Sequence, residues 1–404
     1  MERRYGIFKV SDEIYMPKLK RDLTLLFITN IFVSIILYTT YIFIPLFIRS
    51  LGVSVFEVGI VLFIGNASAM IMMIISGYLS DMYGRWKIII LSGIIQIVAS
   101  LLFTSVRGWL EATFYTMLIY IAIALFISSR SAMIIDLTRR GSTGGIFGLI
   151  NTAWPIGGLI GPFLGGLIVD KYGWTFFFYF LCSIATSYLI LSFLLPRGSV
   201  AYSRGKIGEP NFSIRQIALT LTFFILLHVI ANTSISMLST IFPFYLTERF
   251  GKTKTEVGIF FSVGMGLATL IAQAPSGFLA DNIGRKKTIC YSVFPIPFLS
   301  MLFMVTNDYL LNLLLYMGIY SLWSATWPAS NTYIAEVFPR GRKGLAIGIR
   351  LTSSRLGLTI GPLIGGYLWD NYNIQTLFYL LTVLTSISLL MAILLKDESS
   401  IVNG

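Results

Sequence analysis

Long apolar stretches alternate with short polar segments along the whole chain. A helix needs about 20 apolar residues to cross the hydrocarbon core of a bilayer, and many of these stretches reach that length. We therefore predict twelve membrane-spanning helices. They lie at roughly 23–48, 57–79, 87–106, 111–135, 143–168, 174–195, 216–246, 255–279, 287–306, 309–335, 343–369 and 374–395.

The one long polar connection, 196–215, falls between the sixth and the seventh apolar stretch. It predicts a division into two six-helix bundles, 23–195 and 216–396, joined by this linker. A polar arm, 1–22, precedes the first bundle, and a short tail, 397–404, follows the second.

The two halves repeat each other at an offset of 200 positions. The segment that begins at Gly77, GYLSDMYGRWK, recurs from Gly277 as GFLADNIGRKK, and GPFLGG at Gly161 recurs as GPLIGG at Gly361. Acidic positions also align, Asp136 with Glu336 and Asp170 with Asp370. Two parallel repeats that enclose a central cavity are an architecture of membrane transporters.

Composition agrees with a chain embedded in lipid. Hydrophobic residues make up 56% and charged residues only 12%, and the mean hydropathy is +0.80. Soluble domains carry about 25% charged residues. This excludes soluble globular, disordered and coiled-coil proteins. One histidine and two cysteines argue against a multi-histidine metal centre or a disulfide framework, so we expect no metal and no cofactor.

The net charge of +12 follows the predicted topology. Lys and Arg concentrate on the side that holds both termini and the linker, which predicts that this side is cytoplasmic. The basic residues therefore contact lipid headgroups of the cell membrane, and no nucleic-acid partner is needed. The opposite side receives only Arg49, Arg107, Lys171, Arg249, Lys252 and Lys254.

These motifs resemble those of the major facilitator superfamily. Its loop motif, Gly-x-x-x-Asp-x-x-Gly-Arg-x-(Lys/Arg), occurs in both halves, and its fifth-helix motif, typical of proton-driven exporters, is complete. That motif is also met in the eleventh helix, so it distinguishes export less sharply here. The resemblance implies an all-α fold of twelve transmembrane helices. The fifth-helix positions are Gly148, Gly157, Gly161, Pro162, Gly165 and Gly166, and the eleventh-helix positions are Gly348, Gly357, Gly361, Pro362, Gly365 and Gly366.

The two loop motifs predict a gate on the cytoplasmic side. Each second glycine allows a tight turn. Asp81 can bind the positive N-terminal end of a helix in the opposite half, or an arginine there such as Arg350. The alternative is that these charges only fix topology. The predicted gating residues are Gly77, Asp81, Gly84, Arg85, Asp281, Gly284, Arg285 and Arg350.

The glycine-proline runs predict close and bendable helix packing without substrate contact. Small residues let helix backbones approach each other in membranes, and proline bends a helix. The residues concerned are Gly157, Gly161, Pro162, Gly361 and Pro362.

Polar side chains form one stripe in the first span and another in the seventh, and we expect both stripes to face a wet cavity. An interhelical hydrogen-bond seam is the alternative. Three tryptophans within the spans suit an amphipathic ligand or core packing equally. The stripes are Asn30, Ser34, Tyr38 and Tyr41, then His228, Asn232, Ser236 and Ser239; the tryptophans are Trp154, Trp323 and Trp327.

Two arginines lie inside predicted spans. Arg355 is near mid-depth, where a charge needs a partner or water, yet no acidic residue lies deep in any span. We therefore predict that it binds an anionic group of the substrate, with backbone carbonyls or neighbouring serines as the alternative. Arg130 resembles the fourth-helix arginine of proton-coupled family members. The glycine that the family has four places later is Ile134 here, and Arg130 could instead reach the headgroups.

The sequence thus predicts a secondary transporter of a small organic solute that works by alternating access, with proton-driven export as the expected direction. Asp22, His228 and Glu336 are the candidate proton carriers. The alternatives are uptake or facilitated diffusion of an organic anion or a sugar, and a non-transporting receptor. An enzyme is not expected, because intramembrane hydrolysis needs a nucleophile with a base or metal ligands, and the spans hold one histidine and no deep carboxylate. The absence of a nucleotide-binding loop argues against ATP-driven transport.

Overall fold

A computed structural model describes residues 3–138, 143–197, 214–338 and 343–397 of the chain. Most of the predicted linker and nearly all of the predicted tail fall outside these ranges. Within them the regular secondary structure is entirely helical, which confirms the all-α fold class.

In the described part of the chain, fourteen α-helices occupy the twelve predicted spans. We number them in chain order. They are α1 Arg3–Ser50, α2 Val55–Tyr83, α3 Arg85–Leu102, α4 Trp109–Leu137, α5 Thr143–Asn151, α6 Ala153–Ser192, α7 Ile214–Phe244, α8 Lys254–Phe261, α9 Ala268–Ile283, α10 Arg285–Val293, α11 Ile296–Leu302, α12 Tyr309–Val337, α13 Lys343–Asn371 and α14 Ile374–Ile393.

Some spans are broken and others are merged. The fifth and sixth spans share α6, and the chain reverses between them at Gly173, whose φ of 81° suits a residue without a Cβ. The eighth span consists of α8 and α9 joined by a π-helical turn, Ser262–Leu267. The first span is part of α1, so most of the predicted polar arm is helical and continuous with it.

Eight helices of the described residues are long and apolar enough to cross a membrane, and one of these is the merged α6 segment. The polar residues of α12 and α13 fall at positions that face neighbouring helices, including the buried Asn312, Ser330 and Ser353. Helices buried against others in a bundle carry such polar positions more readily than lipid-facing ones.

Within each bundle the first helix packs on the fifth span. In the N-terminal bundle α1 lies along α6, and in the C-terminal bundle α7 lies along α13. The two bundles meet through α2 against α13 and α6 against α8. These pairs obey the 200-residue repeat, so the bundles are related by an approximate two-fold axis.

The two ends of the molecule are distinguished by the motifs that they carry. We call the end that holds the turns at Gly84 and Gly284 the loop-motif side. We call the end that holds Asp170 and Asp370 the clamp side.

Candidate functional site

On the clamp side, Asp170 of the N-terminal bundle binds the start of α8 in the C-terminal bundle. Its two carboxylate oxygens accept hydrogen bonds from the backbone N–H groups of Lys254, at 3.1 Å, and Thr255, at 2.6 Å. The first N–H groups of a helix have no partner within the helix and carry its positive dipole. A carboxylate at this position is therefore favourable, and it joins the two bundles.

Asp370 makes the symmetry-related contact in the opposite direction. It belongs to the C-terminal bundle and accepts hydrogen bonds from the N–H groups of Val55, at 3.2 Å, and Phe56, at 2.6 Å, at the start of α2 in the N-terminal bundle. Each bundle therefore supplies one carboxylate and one helix end. We call these two reciprocal contacts the clamp.

Local sequence prepares both helix ends for the clamp. Ser54 and Glu57 form a capping box at α2, and Thr253 and Glu256 form one at α8. In each box the two residues bond each other's backbone N–H groups. The two N–H groups between them in the chain are the ones that bind the aspartate. Four consecutive donors are thus bonded at each helix end. Two of the four depend on the other bundle and lose their protein partners when the clamp opens.

A second, weaker link lies beside the clamp. The guanidinium of Arg49 at the end of α1 donates to Glu248, which follows α7, at 3.0 Å. Both side chains are more than a third exposed, and exposed ion pairs contribute little to stability. The clamp aspartates are exposed as well, but each accepts two hydrogen bonds from a helix end, so the clamp joins the bundles through four hydrogen bonds and the ion pair through one.

Close backbone packing extends the contact toward the middle of the bilayer. Gly258 of α8 lies against the carbonyl of Pro162, and Gly59 of α2 lies against the carbonyl of Pro362, where an added Cβ would approach the oxygen to 2.5 Å. Gly266 likewise packs on the backbone of α6. Pro162 and Pro362, which were predicted to pack helices, therefore lie at the boundary between the two bundles.

The remaining predicted packing glycines serve the interior of each bundle. Gly157 and Gly161 lie against α1, and Gly357 and Gly361 lie against α7. One face of each glycine-rich helix thus contacts its own bundle while the adjacent face contacts the opposite one.

The loop motifs form tight turns on the other side of the molecule. Gly84 and Gly284 join consecutive helices with φ values of 96° and 97°. Arg85 binds Asp136 at 3.1 Å and also pairs with Asp81, and all three residues belong to the N-terminal bundle.

The second motif repeats this arrangement within the C-terminal bundle. Arg285 lies 3.1 Å from Glu336 and 3.5 Å from Asp281. Gly77 and Gly277 have no atom within 4 Å of an added Cβ. Both loop-motif aspartates thus pair with an arginine of their own bundle, whereas the clamp aspartates bind the opposite bundle. This combination describes a molecule closed on the clamp side.

Five tyrosines meet where the two bundles face each other, and we call them the tyrosine cluster. The rings of Tyr316 and Tyr320 stack at 5.8 Å, and the Tyr316 hydroxyl lies 2.7 Å from that of Ser239. Both tyrosines interact electrostatically with tyrosines of α1. The cluster comprises Tyr38 and Tyr41 of α1, Tyr120 of α4, and Tyr316 and Tyr320 of α12.

Arg355 faces this cluster from α13. Its guanidinium interacts electrostatically with Tyr120 across the boundary between the bundles. The side chain is only partly buried, and no carboxylate of the described residues pairs with it. The arrangement joins an unpaired cation to aromatic faces and hydroxyl groups, which suits an organic ligand that carries a negative group.

Part of each polar stripe lies in a seam between helices. Asn30 is fully buried and donates to the Ile150 carbonyl at 2.9 Å, and Ser34 donates to that of Ala153 at 2.9 Å. Ser236 makes the equivalent bond from α7 to α13. The first turns of the α1 stripe therefore hold the fifth span, and its later turns reach the tyrosine cluster.

Arg130 is also held by neighbouring helices. It is 3% exposed, donates to Asn151 at 3.1 Å, and stacks over the Trp154 ring at 5.5 Å. These contacts belong to the N-terminal bundle. Arg130 therefore points into the bundle and not toward the headgroups, and it lies apart from Arg355.

Four other predicted site residues line a separate pocket inside the C-terminal bundle. His228 and Asn232 enter it from α7, and Trp323 and Trp327 from α12. Arg350 enters from α13 and interacts electrostatically with His228. The structure thus places Arg350 in this pocket, away from Asp81, which pairs with Arg85 instead.

Sequence reasoning did not single out three members of the tyrosine cluster. Tyr120 and Tyr320 are 200 positions apart and occupy equivalent places in the repeat. This repetition could have identified both residues from the sequence. Tyr316 has Thr116 as its counterpart, so the repeat would not have found it. The clamp residues Asp170 and Asp370 were visible as an aligned pair, but their helix-end partners were not.

Comparison with known proteins agrees with this architecture. The chain is 26% identical to an uncharacterised MFS-type transporter of Methanocaldococcus jannaschii, over 90% of this chain and 95% of the relative. It is 24% identical to multidrug resistance protein 1 of Bacillus subtilis, over 93% and 97%. Its fold matches the crystal structure of a D-xylose-proton symporter with a TM-score of 0.78 at 13% identity, over 94% and 99% of the two chains.

The family model of the Major Facilitator Superfamily matches twice, at residues 26–226 and 224–403. The two matches overlap at residues 224–226 and together cover nearly the whole chain. The protein is therefore a multi-pass membrane transporter and belongs to the major facilitator superfamily.

Proposed function

We propose that the protein exports a small organic solute across the cell membrane in exchange for protons, by alternating access. The observation that carries this proposal is the clamp. Its two contacts join the bundles through hydrogen bonds that can break and re-form without disturbing either bundle. A central site between the bundles would then open to one side at a time.

The loop-motif side is assigned to the cytoplasm. Lys and Arg concentrate there, which is the pattern of cytoplasmic loops in membrane proteins. In this assignment both termini are cytoplasmic and the clamp faces outward. The structure then corresponds to the inward-facing state, in which solute enters the central site from the cell.

The loop motifs provide the opposing gate. When the clamp opens, the loop-motif side closes, and Asp81 and Asp281 exchange their arginine partners for a helix end of the opposite bundle. The clamp supports this mechanism, because it uses the same chemistry at the other side of the molecule. A helix end is favoured over Arg350 as the partner of Asp81, since Arg350 lies inside its own bundle.

The tyrosine cluster and Arg355 form the proposed solute site. Their aromatic faces provide apolar surface, their hydroxyl groups provide hydrogen bonds, and the arginine provides a charge. Tyr38 and Tyr41 approach from one bundle and Arg355 from the other. A solute that touches both would stabilise the closure of the bundles around it.

Three residues are proposed as proton carriers, and the structure gives each a different setting. Asp22 is buried and bonded to Arg21 at 3.1 Å, and Glu336 is bonded to Arg285. His228 is buried, and its Nδ1 is hydrogen-bonded to the Phe224 carbonyl oxygen at 2.9 Å. Export of a drug-like solute is supported further by the likeness to a multidrug resistance protein.

The second candidate function is uptake or facilitated diffusion of an organic anion. Arg355 favours it, since the described residues leave this cation without an acidic partner. Both functions use the same site and differ in whether the proton gradient drives the solute outward.

Flux in proteoliposomes separates these functions. Vesicles that expose the loop-motif side are loaded with an acidic lumen and given labelled benzoate, glucose or tetraphenylphosphonium as anionic, neutral and cationic probes. Export predicts accumulation of at least one probe, abolished by a protonophore. Flux that only equilibrates the probe, unchanged by the protonophore, would support facilitated diffusion instead. Vesicles with the double variant Gly258→Leu, Gly59→Leu, which should be unable to close the clamp, provide the background.

A further inference from the structure

The pocket inside the C-terminal bundle is distinct from the central site. It is lined by residues of α7, α10, α11, α12, α13 and α14, and none of its lining residues comes from the N-terminal half. The aromatic rings of Tyr320, Trp323 and Trp327 connect the two places, with centroid distances of 5.0 Å and 4.7 Å along α12.

Two hydrogen-bond donors in this pocket have no acceptor among the described residues. The Nε of Arg350 is buried and unpartnered, and so is the hydroxyl of Ser330, a residue that is fully buried. The lining residues include no Asp or Glu. The Arg350 side chain is partly buried. A cation without a counter-charge inside a bundle is costly, and a buried donor atom without an acceptor adds to that cost.

Three other polar side chains of the pocket already donate to the backbone. Thr385 and Ser388 donate their hydroxyl hydrogens to carbonyls one turn earlier in α14, and Asn232 donates to the His228 carbonyl at 2.7 Å. Asn232 still offers its amide oxygen, but Arg350 supplies the fixed charge of the lining. The complement of that charge is an anion.

The size of the pocket limits that acceptor. The free volume is about 30 Å³, and about 10–15 Å³ of such volume accommodates one water molecule. This space accommodates a monatomic anion with one water. The apolar walls, Ile289, Val293 and Ile296 among them, favour a weakly hydrated ion.

We propose that this pocket is a halide site, in which chloride binds to the Arg350 guanidinium and the Ser330 hydroxyl and neutralises the charge of Arg350. The proposal does not depend on the transported solute, because the ion sits outside the central site. It also explains how Arg350 can remain inside the bundle without a carboxylate.

Bromide replaces chloride as a probe that can be located directly. Crystals of the full-length protein are grown in sodium bromide, and anomalous scattering is measured at the bromine edge. The proposal predicts a peak between the side chains of Arg350 and Ser330. Crystals that diffract and show no bromide peak in the pocket would overturn the proposal. Loss of the peak when acetate is added at equal concentration would also overturn it, because the pocket would then be a carboxylate site.

The thermal stability of variants tests whether Arg350 and Ser330 bind chloride. In gluconate buffer, added chloride is expected to give a saturable rise in Tm of about 3 °C. Arg350→Gln should abolish this rise, and Ser330→Ala should weaken the apparent affinity for chloride about tenfold. Arg355→Gln is the matched control, because it removes an arginine from the same helix outside the pocket and should keep the chloride response. An equal response in Arg350→Gln and the unaltered protein would contradict the proposal.

Discussion

Asp170 and Asp370 stand 200 positions apart, and each binds the first backbone N–H groups of a helix that belongs to the other half of the protein. The internal repeat therefore produces two copies of one contact, related by the approximate two-fold axis. Because each contact pairs a charge with a helix end, it is strong in the closed state and readily replaced by water in the open state.

Neutralising one clamp aspartate should favour the outward-open state. Asp170→Asn removes the charge that faces the positive end of α8, an interaction of about 1 kcal/mol. The ratio of clamp-open to clamp-closed molecules should then rise about fivefold. Spin labels at Leu110 and Leu310, exposed equivalents at the start of α4 and α12, would report the change by pulsed electron resonance in a background of Cys182→Ser and Cys290→Ala.

The control for this experiment is Glu111→Gln. Glu111 accepts from the backbone of Arg107 within its own loop and does not contact the opposite bundle. Its neutralisation should leave the label distances unchanged. A shift of equal size in both variants would show that charge loss on this side, and not the clamp, sets the equilibrium.

A methyl group at Gly258 should keep the clamp from closing. The added Cβ would overlap the Pro162 carbonyl, which is backbone and cannot move aside. Overpacking of this kind costs about 1–3 kcal/mol, so Gly258→Ala should increase the open population about tenfold. Gly148→Ala is the matched control, since nothing lies within 4 Å of its Cβ position. Unchanged label distances in Gly258→Ala would refute the packing described for this seam.

The turn of the loop motif should tolerate only glycine at its second position. Gly84 has φ 96° and ψ 141°, a conformation that costs an L-residue about 1–3 kcal/mol. Gly84→Ala should therefore lower the Tm of the purified protein. Gly77→Ala, in the same motif but in a helix with open space around it, should leave Tm the same or slightly higher. Equal Tm values for the two variants would mean that the turn relaxes without strain.

Arg355 should distinguish anionic from neutral solutes. A hydrogen bond to a charged group contributes about 1.5–3 kcal/mol, so Arg355→Gln should weaken the binding of benzoate about 10- to 100-fold. The binding of glucose should not change. Titration of the Tm shift measures both affinities, and Arg107→Gln, an exposed arginine of a loop, serves as the control. Equal loss of both solutes would assign Arg355 a structural role.

Much of this architecture follows from the sequence. The twelve spans, the two bundles and the tight turns at Gly84 and Gly284 depend on hydropathy and on backbone geometry, which are local properties. Internal repetition adds the pairing of equivalent helices. The fold class and the family could therefore be predicted before the structure was known.

Contacts between helices could not be predicted in the same way, because they depend on how each helix is rotated and shifted against its neighbours. Asn30 and Tyr38 lie on one stripe of α1, yet Asn30 bonds to the fifth span and Tyr38 faces the opposite bundle. A carboxylate at a helix end of the opposite half was expected for Asp81, and the structure shows that chemistry at Asp170. A carboxylate does bind a helix end of the opposite half in this state, but the carboxylate is that of Asp170, at the end of the molecule opposite to Asp81.

Reciprocal motion of the two ends tests alternating access most directly. Label pairs at Leu110 and Leu310 on the clamp side, and at Met82 and Asn282 on the loop-motif side, are exposed equivalents of the repeat. In the double variant Asp170→Asn, Asp370→Asn, the clamp-side distance should lengthen and the loop-motif distance should shorten in the same proportion of molecules. A longer clamp-side distance with an unchanged loop-motif distance would contradict alternating access.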